Sequence, residues 1–158
     1  MRVTRIKFLI LIAMSLVGLW SSLTVLYLFD ILHQPLPFCG ASSSSNPNTI
    51  AIDCSRVLSS PFSSIHGIPL DAFAALWFII NLFLIIIVSL GSDSLSRLSL
   101  RLLFFWRFMG LLIIPYLLFL EFFVIRAICI YCTVMHIAII IDFIIVSYFL
   151  FYKKGMLK

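Results

Sequence analysis

Four cysteines, Cys39, Cys54, Cys129 and Cys132, are the residues of this chain best suited to chemistry. The last two form a Cys-x-x-C pair within AICIYCTVMH, residues 127 to 136. That spacing suits either a metal thiolate site or a reversible disulfide. Cys39 and Cys54 could close a loop that the chain-entropy model values at roughly 3 kcal/mol, and taken alone that pair reads most plainly as a structural bridge. Cys129 and Cys132 open a long apolar segment, however. The amide groups at a helix N-terminus are unpaired and carry partial positive charge, an environment that favours thiolate over thiol. A dithiol placed there is poised to attack a disulfide and to be re-formed as one, a placement that a structural bridge does not need. The run IDCSRVLSSP, residues 52 to 61, repeats the arrangement. Asp53 is a predicted N-cap for a short helix starting at Cys54, Arg56 adds positive charge beside the thiol, and Pro61 ends the helix. Val57 and Leu58 supply an apolar side, so this helix is expected to lie as a lid over the mouth of a larger bundle.

The elements that must carry these thiols are apolar and long. Of the 158 residues 63% are hydrophobic and 11% charged, against roughly a quarter charged in a soluble domain, which makes this a membrane protein. Four stretches reach the about 20 residues needed to cross a hydrocarbon core as helix: about 8–29, 72–90, 102–120 and 127–152. The expected fold is an all-α, four-transmembrane-helix bundle capped by the short loop helix, with residues 1–158 forming one membrane domain and no separate soluble one. Arg2, Arg5 and Lys7 precede the first span as in a signal peptide. Its apolar run exceeds the usual length of about 7 to 15 residues and no A-x-A-like site follows, so it is expected to remain. Orientation follows from the retention of Lys and Arg on the cytoplasmic side. Arg2, Arg5, Lys7, Arg97, Arg101, Lys153, Lys154 and Lys158 fall on one side, and only Arg56 and Arg126 on the other. Both termini are therefore expected in the cytoplasm, with the redox loop, about 32–68, and a very short connection, 121–126, on the exported side. Arg107 is expected to snorkel from the third span back to the cytoplasmic interface. The net charge of +5 then reflects topology and gives no reason to invoke nucleic acid. All four cysteines reach the exported face, where disulfides persist. The segment ASSSSNPNT, residues 41 to 49, reads as a polar loop.

Counted at about 100° per residue along the fourth span, Cys129, Cys132, His136, Ile139 and Phe143 share one face, with Asp142 to its side. Two thiols, an imidazole and an apolar floor would suit a hydrophobic molecule bearing a carbonyl. His136 is either a ligand contact or an interhelical hydrogen bond. Asp142 and Asn81 read as interhelical polar contacts, and Trp20, Trp77 and Trp106 as packing or interface anchors.

With these residues in view, the chain resembles the vitamin K epoxide reductase family in its prokaryotic form. The resemblance rests on the four-span pattern, on Cys39 followed by CSRVLSSPFSSIHGIPL in the loop, and on CIYC opening the last span. It implies a membrane oxidoreductase that takes electrons from protein thiols and gives them to a quinone such as ubiquinone or menaquinone. By motif position Cys132 is implied to be the thiol nearest the quinone, Cys129 the one that exchanges with the loop, Cys54 the shuttle, and Cys39 the contact for the external partner. Leu58 and Phe73 match apolar positions of the quinone pocket, and Ser55 is the family-like neighbour of Cys54. The 14 residues between Cys39 and Cys54 (40 to 53) exceed the family's usual interval. His136 stands where animal members carry a tyrosine that bonds the quinone oxygen. No thioredoxin-like domain follows in these residues, so the resemblance implies that the thiol donor is a separate thioredoxin-like protein outside the cytoplasm. The alternatives are a quinone or vitamin K epoxide reductase as the main role, or, from another class, a four-cysteine protein binding zinc or copper(I). The order of the pairs argues against the other four-helix family of quinone-linked disulfide oxidases, in which the Cys-x-x-C comes first.

Overall fold

The computed structural model describes residues 2–39, 51–90 and 93–155, with side chains left out for residues 2–5, 93, 94, 96, 97 and 149–155. The polar segment 41–49, the tail residue Lys158 and the side chains of Arg2, Arg5, Arg97, Lys153 and Lys154 lie outside that description.

The order of elements is α1 (Arg2–Val25) running into a π-helical turn (Leu26–Ile31), β1 (Ala51–Ile52), α2 (Cys54–Leu58), β2 (Ser64–Ile65), β3 (Ile68–Pro69), α3 (Leu70–Leu90), α4 (Asp93–Phe119) running into a second π-helical turn (Leu120–Ile125), β4 (Ala127–Ile128) and α5 (Ile130–Gly155). Four helical segments are long and apolar enough to span a membrane: Ile6–Ile31, Leu70–Leu90, Leu98–Ile125 and Ile130–Tyr148. They close a ring in which α1 packs on α3 and α5, and α4 packs on α3 and α5. The expected four-span all-α bundle is the fold observed. A tight antiparallel hairpin, β2 with β3, leads into α3. His66 (φ 52°) and Gly67 (φ 81°) turn it with two left-handed residues in succession, as a two-residue hairpin of this hand requires.

Polarity is inverted relative to a soluble protein. Trp20, Phe83, Phe105 and Ile144 are exposed on the outer faces, whereas Ser15, Asn81, Arg107 and Asp142 are fully buried. Hydrocarbon as the outer solvent explains both halves, since only the bundle interior can satisfy a polar side chain. Close helix approach is local: the Phe78 ring of α3 lies on Gly18 of α1, where a Cβ would overlap it.

Arg107 departs from the snorkelling expectation. Its Nη2 is 3.4 Å from Asp142 Oδ2, its Nη1 donates to the Asp142 carbonyl at 2.8 Å, and its Nε donates to Asn81 Oδ1 at 3.0 Å. Ser15 Oγ and Asn81 Nδ2 complete the shell by donating to Asp142 Oδ2 at 3.0 and 3.1 Å. A guanidinium in lipid must reach water only if no acceptor is nearer, and here α3 and α5 bring a counter-charge and two carbonyl oxygens to it. Asn81 and Asp142 are thus interhelical contacts, as expected. The short connection expected over 121–126 also differs. The helix continues through Ile125 as a π turn, Glu121 is 4% exposed, and the reversal falls to Arg126 in the left-handed region (φ 57°). Consequently the last span starts at Ile130, and residues 127–128 are free to pair as a strand.

Asp142→Leu should cost about 3–5 kcal/mol, because it leaves a buried guanidinium without its counter-charge. Arg107→Met combined with Asp142→Leu should recover most of that loss. Thermal unfolding of the three proteins in one detergent measures the difference; a single variant no less stable than the double would show that the pair is not the source of the cost.

Candidate functional site

The site is assembled by a two-residue parallel ladder, β1 on β4, in the register Ala51 with Ala127 and Ile52 with Ile128. The Ala51 amide donates to the Arg126 carbonyl at 3.5 Å, and the Asp53 amide to the Ile128 carbonyl at 3.2 Å. Cys54 follows its strand by two residues and Cys129 follows its strand by one, so the ladder carries both to the same place. Both are completely buried, in one cluster with Cys39, Val25, Leu36, Val57, Leu58 and Ala127, against which the half-buried Cys132 packs.

Local sequence explains the pose of each sulfur. Asp53 caps α2, its Oδ1 accepting from the Arg56 amide at 3.1 Å, and Val57 and Leu58 bury the helix's apolar side. The lid helix expected from Cys54 is therefore present, and it ends at Leu58, capped by Ser59, short of Pro61. Cys39 and Cys54 are joined as a disulfide with a Cα–Cα distance of 5.6 Å, while Cys129 and Cys132 are free. Cys129 immediately precedes α5, and its Sγ accepts from the Cys132 amide at 3.4 Å. That is the geometry of a capping side chain, with the sulfur set among the unpaired amides of the first turn. Between the two cysteines, Tyr131 Oη donates to the Pro37 carbonyl at 3.0 Å and latches the arm that carries Cys39.

Beneath this cluster a cavity of about 220 Å³ runs down between the helices. Its walls are mainly apolar: Val57 and Leu58 of the lid, Phe73, Trp77 and Phe78 of α3, Gly110 and Ile114 of α4, and Met135 and Ile139 of α5. Gly110 makes room for the indole, since a Cβ there would lie 2.8 Å from Trp77 Cζ2. Cys132 and His136 reach the same space, and the buried His136 Nδ1 has no hydrogen-bond partner. Of the residues singled out above, the structure brings Cys132, His136, Val57, Leu58, Phe73, Trp77 and Ile139 to the cavity. Ser55 does not join them: it is exposed on the other side of α2, where its carbonyl accepts from the Ser59 amide. Phe143 is also absent from the lining and packs instead on Phe104 and Phe108, at centroid distances of 5.5 and 6.3 Å. The joining of Cys39 to Cys54 removes two of the four thiolates that a tetrathiolate metal centre would need.

Residues 9–147 match the model of the vitamin K epoxide reductase family. The chain belongs to this family. No curated protein sequence matches it. Members of the vitamin K epoxide reductase family are, in general, membrane oxidoreductases that link thiol–disulfide chemistry to a quinone, and the apolar cavity beside a free dithiol is the kind of site such chemistry requires.

Four positions escaped sequence reasoning. Asp71, in the first turn of α3, and Glu121 both line the cavity. For Asp71 the signal is a carboxyl inside an apolar run, whereas Glu121 falls in the expected connection 121–126. Tyr131 and Gly110 carry no signal of their own, because their importance comes from Pro37 and Trp77, which are distant in sequence.

Removal of the α2 cap should loosen the lid. Asp53→Ala is expected to cost about 1 kcal/mol, which is about a fivefold rise in local opening. Hydrogen exchange of the Val57 and Ser59 amides should accelerate by that factor while α3 amides stay unchanged, and Asp53→Asn, which can still cap, should leave the rates near wild type. Equal exchange in all three proteins would mean that burial of Val57 and Leu58 alone holds the helix.

Proposed function

We propose that the protein oxidises the cysteines of an exported thioredoxin-like partner and passes the electrons to a membrane quinone, so supporting disulfide formation outside the cytoplasm. The reading takes the whole chain as one domain of the cell membrane, with both termini cytoplasmic and the redox loop on the exported side. Its main support is the β1–β4 ladder, which gathers Cys54 and Cys129 above an apolar cavity that Cys132 enters.

The residues around the cavity suit a quinone: flat aromatic and aliphatic walls for the ring, and a buried imidazole nitrogen without a partner for a carbonyl. A quinone bound there supplies a two-electron, two-proton sink. The chain's own steps are exchanges of thiolate for disulfide. A partner thiolate attacks the Cys39–Cys54 bridge at Cys39 and releases Cys54. Because Cys39 is 3% exposed, that attack requires the Cys39 arm to swing away and break the Tyr131–Pro37 hydrogen bond. The partner's second thiolate then displaces Cys39 from the mixed disulfide, so that the partner leaves oxidised. Cys54 thiolate attacks Cys129 in an oxidised Cys129–Cys132 pair and releases Cys132, and Cys39 thiolate attacks Cys54 of that bridge, re-forming Cys39–Cys54 and freeing Cys129. The sulfur states observed, a bridged outer pair over a free inner pair, correspond to electrons held next to the cavity. Cys132 and Cys129 lose them together as their own bridge re-forms. His136 donates a hydrogen bond to the oxygen on which charge builds, the part of an oxyanion-hole donor.

The test is quinol formation by right-side-out membrane vesicles carrying the protein, after addition of a reduced thioredoxin-like protein to the outside. Quinol should appear without rupture of the vesicles. His136→Phe should slow it by about 10²-fold, and His136→Tyr, which restores a donor, should recover part of the rate. Quinol formed only after rupture would reverse the orientation, and three equal rates would remove His136 from the reaction.

A further inference from the structure

Thiol–disulfide exchange carries electrons as thiolates and brings no proton with them. Each quinol nevertheless needs two protons, and the cavity in which it would form is walled mainly by hydrocarbon. Two carboxyl groups interrupt that wall. Asp71 and Glu121 line the cavity, are 5% and 4% exposed, and both lie within electrostatic reach of Cys132. Glu121 Oε2 has no hydrogen-bond partner. A buried carboxyl oxygen without a partner is costly. Asp71 in turn lies within electrostatic reach of Asp30, in the π turn that ends α1. Asp30 has its own buried oxygen without a partner, Oδ2, and lies within electrostatic reach of His33. His33 is exposed at the loop end of the bundle. Cys132, Glu121 and Asp71 therefore share one cavity, and Asp30 couples electrostatically both with Asp71 and with the exposed His33 toward the loop end.

We propose that Asp71 and Glu121 deliver the protons for quinone reduction in this cavity, and that Asp30 and His33 connect them to the surface at the loop end. This rests on the quinone reading above. The step balances within the chain and its acceptor. The S–H bonds of Cys129 and Cys132 break and their S–S bond forms. Two electrons pass from sulfur to the quinone, and two O–H bonds form on it. Each carboxyl gives a proton to a quinone oxygen and regains one of the two thiol protons, ending as it began. Asp30 and His33 supply from the surface the protons that the Cys129 and Cys132 thiolates take up when disulfide exchange releases them. Two carboxyls set on different spans, one in α3 and one in the π turn that follows α4, suit an acceptor with two oxygens to protonate.

The pre-reduced full-length protein is mixed anaerobically with a short-chain ubiquinone, and quinol is followed optically. Glu121→Gln and Asp71→Asn keep size and hydrogen-bonding capacity but cannot carry the proton. Each should slow quinol formation, the double variant by about 10²-fold or more, while quenching of tryptophan fluorescence by bound quinone stays at the wild-type level. Asp30→Asn, outside the cavity, should slow it less. Formate, a small diffusible acid, should restore much of the rate in all of these variants, which a merely structural loss would not allow. Wild-type rates in the carboxyl variants, or slow rates that formate leaves unchanged, would overturn the proton path while leaving quinone reduction intact. Absence of quinol from the wild type itself would overturn the quinone reading, and this proposal with it.

Discussion

The parallel pairing of Ala51–Ile52 with Ala127–Ile128 decides where the sulfurs of this protein meet. Without it, a loop between α1 and α3 would have no reason to deliver Cys54 to the start of α5. The ladder is too short to hold by itself, because a pair of two-residue strands gains few hydrogen bonds against the entropy of ordering the loop. Apolar burial supplies the rest. Val57, Leu58, Leu36 and Ala127 pack around Cys39, Cys54 and Cys129 in one cluster, so the gathered cysteines and the apolar packing of the bundle's loop end are the same set of atoms. Arg126 contributes through its backbone: its left-handed conformation reverses the chain within one residue of the last helical turn of α4 and frees 127–128 for pairing.

The floor of the cavity depends on a different kind of contact. Trp77, Gly110 and Ile139 stand about one helical turn from Asn81, Arg107 and Asp142 on α3, α4 and α5 respectively. The ion pair and its hydrogen bonds, with Ser15 of α1 included, therefore join all four long helices directly below the cavity. Helices in lipid gain little from apolar burial against one another, so a polar lock at this level fixes their spacing where leucine packing alone would leave it adjustable. The apolar cluster of Leu11, Ile85, Leu103 and Val146 fills the bundle beyond it.

Much of this was legible in the sequence. The apolar runs located the four spans, Asp53 and Val57–Leu58 located the lid helix, and the ordered cysteine motifs located the family. The failures share a cause. Hydropathy, a property of one helix, places Arg107 at an interface, while the acceptors that hold the guanidinium belong to two others. Yet Leu103, Arg107, Gly110, Ile114 and Glu121 fall within about 60° of one another at helical phase, and that buried stripe was a usable signal for both charged residues. Glu121 was lost because a π turn leaves no mark in composition and the charges of Glu121 and Arg126 imitate the ends of a loop. The stripe through Cys132 and Phe143 includes the buried His136 but is turned away from Met135, Ala138, Asp142 and Val146, the other buried positions among the described residues of α5. Tyr131 and the ladder itself are long-range features that a single chain read in order does not disclose.

The central claim is that electrons cross from the loop pair to the inner pair between Cys54 and Cys129. Cys132→Ala tests it most directly, because it removes the sulfur that would otherwise release Cys129. In that variant the Cys129 thiolate attacks Cys54 of the Cys39–Cys54 bridge and frees Cys39, a redistribution that needs no added oxidant. After blocking of free thiols with N-ethylmaleimide, non-reducing peptide mapping of the folded variant should find Cys54 crosslinked to Cys129 and Cys39 alkylated. A folded variant that retains only the Cys39–Cys54 bridge, or that crosslinks Cys129 to Cys39, would contradict the account.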